Sequence, residues 1–280
     1  MKTSLQAGAS ANARSIFVPL AILVLTLAPI RVSAITGGVH DGAGHPNAGA
    51  LVINFAEGLF VVCSGTLIDD KVFLTAGHCV AFIQSEIESG DIAPTDVFVS
   101  FDSENALDPA HLIPVSQWFT HPNFPGKDNV RTAIDVGVLI LEHAPGLTPA
   151  TLPAAGYLDQ LKKQGLLNPR GQKFVNVGYG TLFEFPPPTI LDPDNARWVS
   201  ESFYRSLSGN FLYVSQNLPS GSAGTGFGDS GGPRFWNDGR REILVAITSR
   251  GDPRLVAHDA AQRIDLPVIL DWLHEVILAY

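Results

Sequence analysis

From Ala50 onwards the apolar residues of this chain fall in short runs punctuated by glycine, aspartate and asparagine, and that pattern narrows the folds open to it. The runs are Ala50–Phe55, Leu59–Val62, Val72–Thr75, Val97–Phe101, Val136–Leu141, Lys173–Gly178, Phe211–Ser215 and Glu242–Thr248. Each has strand length. The 27 glycines and 20 prolines supply turns rather than long helices. Many short strands without alternating helices predict an all-β sandwich or barrel. One segment departs from this. Ile269, Leu273, Val276 and Ile277 recur at helical spacing behind Asp265-Leu266-Pro267, an Asp/Pro helix start, which predicts a C-terminal amphipathic α-helix docked on the body.

The chain has 280 residues, room for one large or two small domains. Hydrophobic residues make up 45% and charged ones 16%, which excludes a largely disordered chain. The net charge of -9 excludes a nucleic-acid binder with the usual basic footprint. Phe183 to Trp198, with Pro186-Pro187-Pro188 and Pro193, reads as a surface loop because strands resume after it. The acidic stretch Asp91 to Asp108 has the composition to bind a cation, but reads rather as solvated loop, since no oxygen-ligand spacing stands out. Internal repeats are absent from the sequence.

Residues 1–34 read as a secretory signal. Lys2 and Arg14 precede an apolar stretch, Ile16 to Ile30, and Val32-Ser33-Ala34 offers small residues for cleavage. The apolar stretch falls short of the roughly 20 residues that span a bilayer. Three basic and no acidic residues lie in this segment, so its removal takes the net charge from -9 to -12. The expected product is an acidic protein, secreted or periplasmic, with no stable membrane insertion after cleavage. Export also favours a bridge between the two cysteines, Cys63 and Cys79.

The strongest chemical signal is Gly228-Asp229-Ser230-Gly231-Gly232-Pro233. A serine hydroxyl becomes a useful nucleophile only when a base takes its proton. Flanking glycines let the backbone approach a substrate and turn N–H groups towards a developing oxyanion. Thr75-Ala76-Gly77-His78-Cys79 offers an imidazole, and Asp135, at the mouth of the Val136 strand, offers a carboxylate to fix its tautomer. The same serine motif fits Gly-x-Ser-x-Gly, the nucleophile elbow of α/β-hydrolase esterases. That fold requires the order serine, acid, histidine, and only His258 and His274 follow Ser230. Here histidine and aspartate precede the serine. His40, His45, His111, His143 and His274 have no partner at metal-ligand spacing, and His121 reads as structural. Trp118, Trp198, Trp236 and Trp272 read as packing residues.

In this order the motifs resemble those of the chymotrypsin/trypsin-like serine proteases: Ile35-Thr36-Gly37-Gly38, Cys63-Ser64-Gly65-Thr66-Leu67-Ile68, the His78 and Asp135 segments, Asn176-Val177-Gly178-Tyr179-Gly180 and the Ser230 motif. The resemblance covers residues 35–280. It implies two packed antiparallel β-barrels, an N-terminal half at 35–150 and a C-terminal half at 151–280. It also implies His78 as general base, Asp135 as its orienter, Ser230 as nucleophile and the Gly228 and Ser230 N–H groups as oxyanion hole. The Cys63–Cys79 separation resembles the family's histidine-loop disulfide. The expected activity is peptide-bond hydrolysis through an acyl-enzyme, acting on protein or peptide substrates and open to proteinaceous inhibitors, with no metal and no cofactor. The rival from another class is a catalytically silent binding protein on the same fold.

The resemblance also implies that a free Ile35 amino group pairs with Asp229. Cleavage after Ala34 would expose that group directly, so signal removal alone is expected to give a competent enzyme. Gly224 stands where trypsin-like members carry an aspartate at the base of the primary pocket. Ser249, Arg250 and Gly251 resemble the pocket's opposing wall. Asp259, four residues before Arg263, falls on a pocket wall or, as exposed aspartates usually do, in solvent. The first placement implies acceptance of basic residues, or of both basic and apolar ones, the second an apolar or small-residue pocket.

Overall fold

The computed structural model describes residues 37–126, 134–180, 194–251 and 258–280, and the backbone of 183–184 and 189–190. Its elements in chain order are β1 (Val39–His40), β2 (Ala48–Phe55), β3 (Gly58–Leu67), β4 (Val72–Thr75), α1 (Gly77–Ser89), β5 (Val97–Ser100), β6 (Leu112–Thr120) and β7 (Gly137–Leu141). There follow α2 (Tyr157–Lys163), β8 (Lys173–Gly178), β9 (Phe183–Glu184), β10 (Thr189–Ile190), β11 (Trp198–Leu207), β12 (Phe211–Ser215), β13 (Pro233–Asn237), β14 (Glu242–Gly251), β15 (His258–Arg263) and α3 (Pro267–Ala279).

Two closed six-stranded antiparallel barrels result. The first runs β2-β3-β4-β7-β6-β5 and closes by β5 on β2. The second runs β8-β11-β12-β15-β14-β13 and closes by β13 on β8, with β1 added alongside β11. Alternation along the strands explains both barrels. In β7, Leu139 and Leu141 enter the first barrel's core with Leu51, Ile53, Phe73, Val97 and Val99. The intervening Val138 and Ile140 join Val72, Leu74, Val177, Phe235, Leu244 and Ile247 in a core shared by strands of both barrels. A strand buried on both faces reads as a continuous apolar run, as Val136–Leu141 does.

The C-terminal helix forms as expected and sends Ile269, Leu273 and Val276 into that shared core. Its start differs in detail. Pro267 opens the helix, but Leu266 at the N-cap offers no side-chain cap. Asp265 is buried and accepts Leu158 N–H at 2.9 Å, capping the first turn of α2, and it also pairs with Arg263. Trp272 lies partly buried beside the shared core, against His121. The His121 ring takes Asn123 N–H on Nδ1 and donates from Nε2 to Val268 O, a structural role.

Within the expected surface loop at 183–198, the prolines at 186–188 and 193 lie outside the described residues. Phe183–Glu184 pairs with Thr189–Ile190 as a small hairpin. Its last residues are buried: Trp198 opens β11, and Arg197 is enclosed at the junction of three segments. The Arg197 guanidinium donates to Asp41 Oδ2 (2.7 Å) and Gly42 O (2.6 Å) of the N-terminal segment. It also donates to Ala48 O and Phe101 O of the first barrel and to the Tyr179 hydroxyl. Burial pushes Tyr179 up to about 12, so it stays a neutral donor to Asp102 O.

Candidate active site

Strands β4 and β7 are hydrogen-bonded neighbours with Thr75 opposite Gly137. The chain leaving β4 turns into α1 at Gly77-His78, and the chain entering β7 passes through Asp135. The two adjacent strand ends therefore bring imidazole and carboxylate together. Gly77 is required there, because a Cβ would lie 2.8 Å from the Phe124 ring and 3.0 Å from Val136 O. Helix α1 turns Cys79, Val80 and Ile83 into the first core, and the Cys63–Cys79 disulfide ties its first turn to β3.

Asp135 is fully buried and receives three donors. Its Oδ1 accepts His78 N–H at 2.9 Å, and its Oδ2 accepts His78 Nδ1–H at 2.9 Å and the Ser249 hydroxyl at 2.6 Å. Burial opposes its charge, but His78 and Ser249 outweigh this and hold the carboxyl below its ordinary value. An acceptor-only carboxylate fixes the proton on His78 Nδ1 and leaves Nε2 as the basic nitrogen. The aspartate's own N–H donates to Gln262 Oε1 of β15 at 3.0 Å, so the second barrel fixes both ends of the residue.

The Ser230 backbone reaches the first barrel beside His78: its carbonyl lies 3.8 Å from Cys79 Sγ. Its carbonyl accepts Ser64 N–H of β3 at 2.8 Å, next to the disulfide. Ser64 also donates its hydroxyl to Gly228 O (2.9 Å) and accepts Tyr179 N–H (3.0 Å), stitching the serine loop to both barrels. Gly231 has φ +81°, and a Cβ there would lie 2.2 Å from Thr75 Oγ1 and 2.5 Å from Ser64 O. Among the described residues, the Gly228 and Ser230 N–H groups donate to no protein acceptor, and no hydrogen bond joins Ser230 Oγ to His78.

Asp229 points away from the solvent. Its oxygens accept Gly180 N–H at 2.8 Å and Gly226 N–H at 2.7 Å. Complete burial raises its carboxyl to about 7, against the pull of those two N–H groups. Ile35, its expected partner, lies outside the described residues.

The specificity residues distribute differently from expectation. Ser249 sits on the expected wall strand, yet its hydroxyl is committed to Asp135, a role sequence reasoning missed. Gly251 pairs with Asp259 in the β14–β15 ladder. Gly224 does not front an open floor: a Cβ on it would lie 2.4 Å from Cγ of Gln216, whose side chain fills that space. The default placing of Asp259 in solvent is corrected. Its side chain is fully buried against the guanidinium of Arg234, which is equally buried, and it accepts the Thr225 hydroxyl. Arg250 stacks over the Phe211 ring at 4.1 Å.

Within the acidic stretch, Asp102 and Asp108 lie with His111 close enough for a shared ion. Sequence spacing alone offers His111 no such neighbours. These carboxylates are already engaged: Asp102 by Glu104 N–H, Asn105 N–H and His111, and Asp108 by Ala110 N–H. Cys63, His78 and Cys79 also cluster, but both sulfurs are in the disulfide. Among the described residues, no helix is long and apolar enough to cross a membrane.

The protein-family model described as Trypsin matches residues 40–273. A phenoloxidase-activating enzyme of Bombyx mori is 26% identical over 251 residues, covering 79% of this chain and 54% of that protein. The chain thus spans about half the length of that relative. Serine protease 28 of Mus musculus is 25% identical over 207 residues, covering 68% of this chain and 69% of its own length. Among solved structures, an inactivated protease paralogue of the scabies mite matches with a TM-score of 0.61 at 19% identity, over 87% of this chain and 99% of its own. That likeness is one of fold.

Proposed function

Since this chain belongs to the trypsin family, we propose that it is a serine endopeptidase in which Ser230 is the nucleophile, His78 the general base and Asp135 the residue that orients it. The observation that carries the proposal is the threefold clamp on Asp135, which locks His78 with Nδ1 protonated and Nε2 basic. In the reaction, Nε2 takes the Ser230 proton as Oγ attacks the peptide carbonyl, then delivers it to the leaving amine. The Gly228 and Ser230 N–H groups receive the oxyanion. Losing one such donor typically costs roughly 2.7–4 kcal/mol of barrier. Water, activated by the same imidazole, then releases the acyl group.

Residues 1–34 would direct export, and cleavage after Ala34 would free the Ile35 amino group to reach Asp229. An ammonium there would ionise a carboxyl that burial otherwise keeps largely protonated below neutrality, fixing the loop that carries Gly228. Protein or peptide substrates follow from this chemistry, with proteinaceous inhibitors as further partners. The test is incubation of the secreted protein with a denatured protein mixture, with Ser230→Ala as control. New termini absent from the control support the reading. No cuts above control, in protein starting at Ile35, would transfer the fold to a binding role.

A further inference from the structure

Strand parity divides the second barrel's interior into an apolar layer and a polar one. Phe174, Tyr204, Val214, Trp236 and Ala261 belong to the apolar core. Two residues along the same strands or their continuations stand Asn176, Ser202, Gln216, Arg234 and Asp259, all buried. The polar layer adjoins the reactive loop: Arg234 follows Ser230 by four residues, and Thr225 precedes it by five. Asp259 lies opposite Gly251 on β14, the strand whose Ser249 holds Asp135.

Within that layer Arg234 is locked. Its Nη2 meets Asp259 Oδ2, which also accepts the Thr225 hydroxyl. Its Nη1 donates to Asn176 Oδ1 at 2.6 Å, and Asn176 Nδ2 is held by Ser200 Oγ and Ser202 Oγ. Gln216 Nε2 donates to Thr225 O at 2.9 Å, placing that side chain beside Gly224.

We propose that Arg234 is a specificity-determining residue: its guanidinium occupies, from inside the barrel, the place a basic substrate side chain would take against Asp259, so the primary pocket accepts uncharged side chains and rejects lysine and arginine. This rests on the serine-endopeptidase reading and deepens it. A pocket carboxylate selects a cation only while it lacks one. Here the acid is neutralised without leaving the protein, and Asn176 prevents Arg234 from yielding. A lysine or arginine entering the pocket would lose its water and meet a carboxylate whose charge Arg234 already balances at Oδ2, its unpartnered Oδ1 being buried, and displacing Arg234 would leave that cation buried and unpaired.

The experiment measures kcat/KM on matched peptide substrates that differ only in the residue before the scissile bond. It uses protein starting at Ile35, with active sites titrated by a serine-directed phosphonate. The expected result is cleavage after leucine or alanine at least about 100-fold better than after arginine, with no inhibition by benzamidine, a small cationic probe. Arg234→Met frees Asp259 and is expected to gain at least about tenfold on arginine substrates and to become benzamidine-sensitive. Arg234→Met/Asp259→Asn removes both charges and should cut only after uncharged residues. Wild-type protein that prefers lysine or arginine, or that binds benzamidine, overturns the proposal whatever the variants do. Phosphonate titration with no cleavage after uncharged residues also overturns it. Absence of any Ser230-dependent reaction overturns the endopeptidase reading on which it stands.

Discussion

Consider replacing His45 by phenylalanine. His45 lies on the N-terminal segment between two carboxylates, with Nδ1 2.6 Å from Asp41 Oδ1 and Nε2 3.1 Å from Glu242 Oε2. Its ring stacks on Phe235 at 5.4 Å. Burial works against charge on this imidazole, but the hydrogen bonds and charges of Asp41 and Glu242 outweigh it and lift the pKa to about 9. A histidine whose folded pKa exceeds its ordinary value of 6.5 contributes stability that is complete below pH 6.5 and lost as pH rises through 9. The contribution is about 3 kcal/mol. Asp41 is lowered by the same pair and is not counted again. Phenylalanine keeps the ring stack and removes both bonds, while Asp41 retains Arg197. Urea unfolding of both proteins at pH 6 and pH 10 isolates the effect, because every other titrating group is shared. The wild type should lead by about 3 kcal/mol at pH 6, equivalent to roughly 6–12 °C in Tm, and most of the lead should vanish at pH 10. A gap that stays constant between the two pH values refutes the reasoning.

Ser249→Ala removes one of three donors to the buried Asp135 carboxylate. It should cost about 1.5–3 kcal/mol of carboxylate stabilisation, and the acid limb of the kcat/KM profile should move to higher pH. Arg197→Leu leaves Asp41 with His45 alone and strips the Gly42, Ala48 and Phe101 carbonyls at the barrel junction of their donor; it should lower unfolding free energy by about 3–5 kcal/mol, read by urea titration. Gly231→Ala forces a Cβ against Thr75 and Ser64; peptide hydrolysis should fall sharply, with a stability loss of about 1–3 kcal/mol. Asp229 is raised to about 7 by burial, so its contribution is full below pH 3.8 and fades as pH rises through 7. A chain retaining residues 1–34 should therefore lose stability between pH 4 and 7 relative to its Asp229→Asn variant.

The strands legible in the sequence are those whose residues are mostly apolar or β-branched over an unbroken run, even where one buried polar residue such as Asn176 sits among them. Val72–Thr75, Lys173–Gly178 and Phe211–Ser215 coincide with β4, β8 and β12. Strands β11, β13 and β15 escaped notice because their interior positions include Ser200, Ser202, Arg234, Asp259 and Gln262, which break the apolar alternation that marks a strand. The runs at β3 and β14 are legible only in part for a related reason: Ser64, Thr66 and Ser249 are buried, and of these Ser64 holds the Ser230 loop and Ser249 holds Asp135. Helix α1 was hidden behind the His78 motif, although Cys79, Val80, Ile83 and Ile87, followed by Gly90 in the left-handed region, carried its signal. The positions of His78 and Asp135 were legible because local motifs mark them. The burial of Asp259 was not, because its partner Arg234 is 25 residues away in sequence and no local pattern announces a long-range ion pair.

The most direct test of the central claim is reaction of the protein beginning at Ile35 with a serine-directed phosphonate, followed by peptide mapping, alongside His78→Ala and Asp135→Asn. The account predicts a single adduct on Ser230, with labelling slowed by roughly 10³–10⁴-fold in each variant. Folded protein that takes no adduct, or that reacts equally fast without His78, would contradict it.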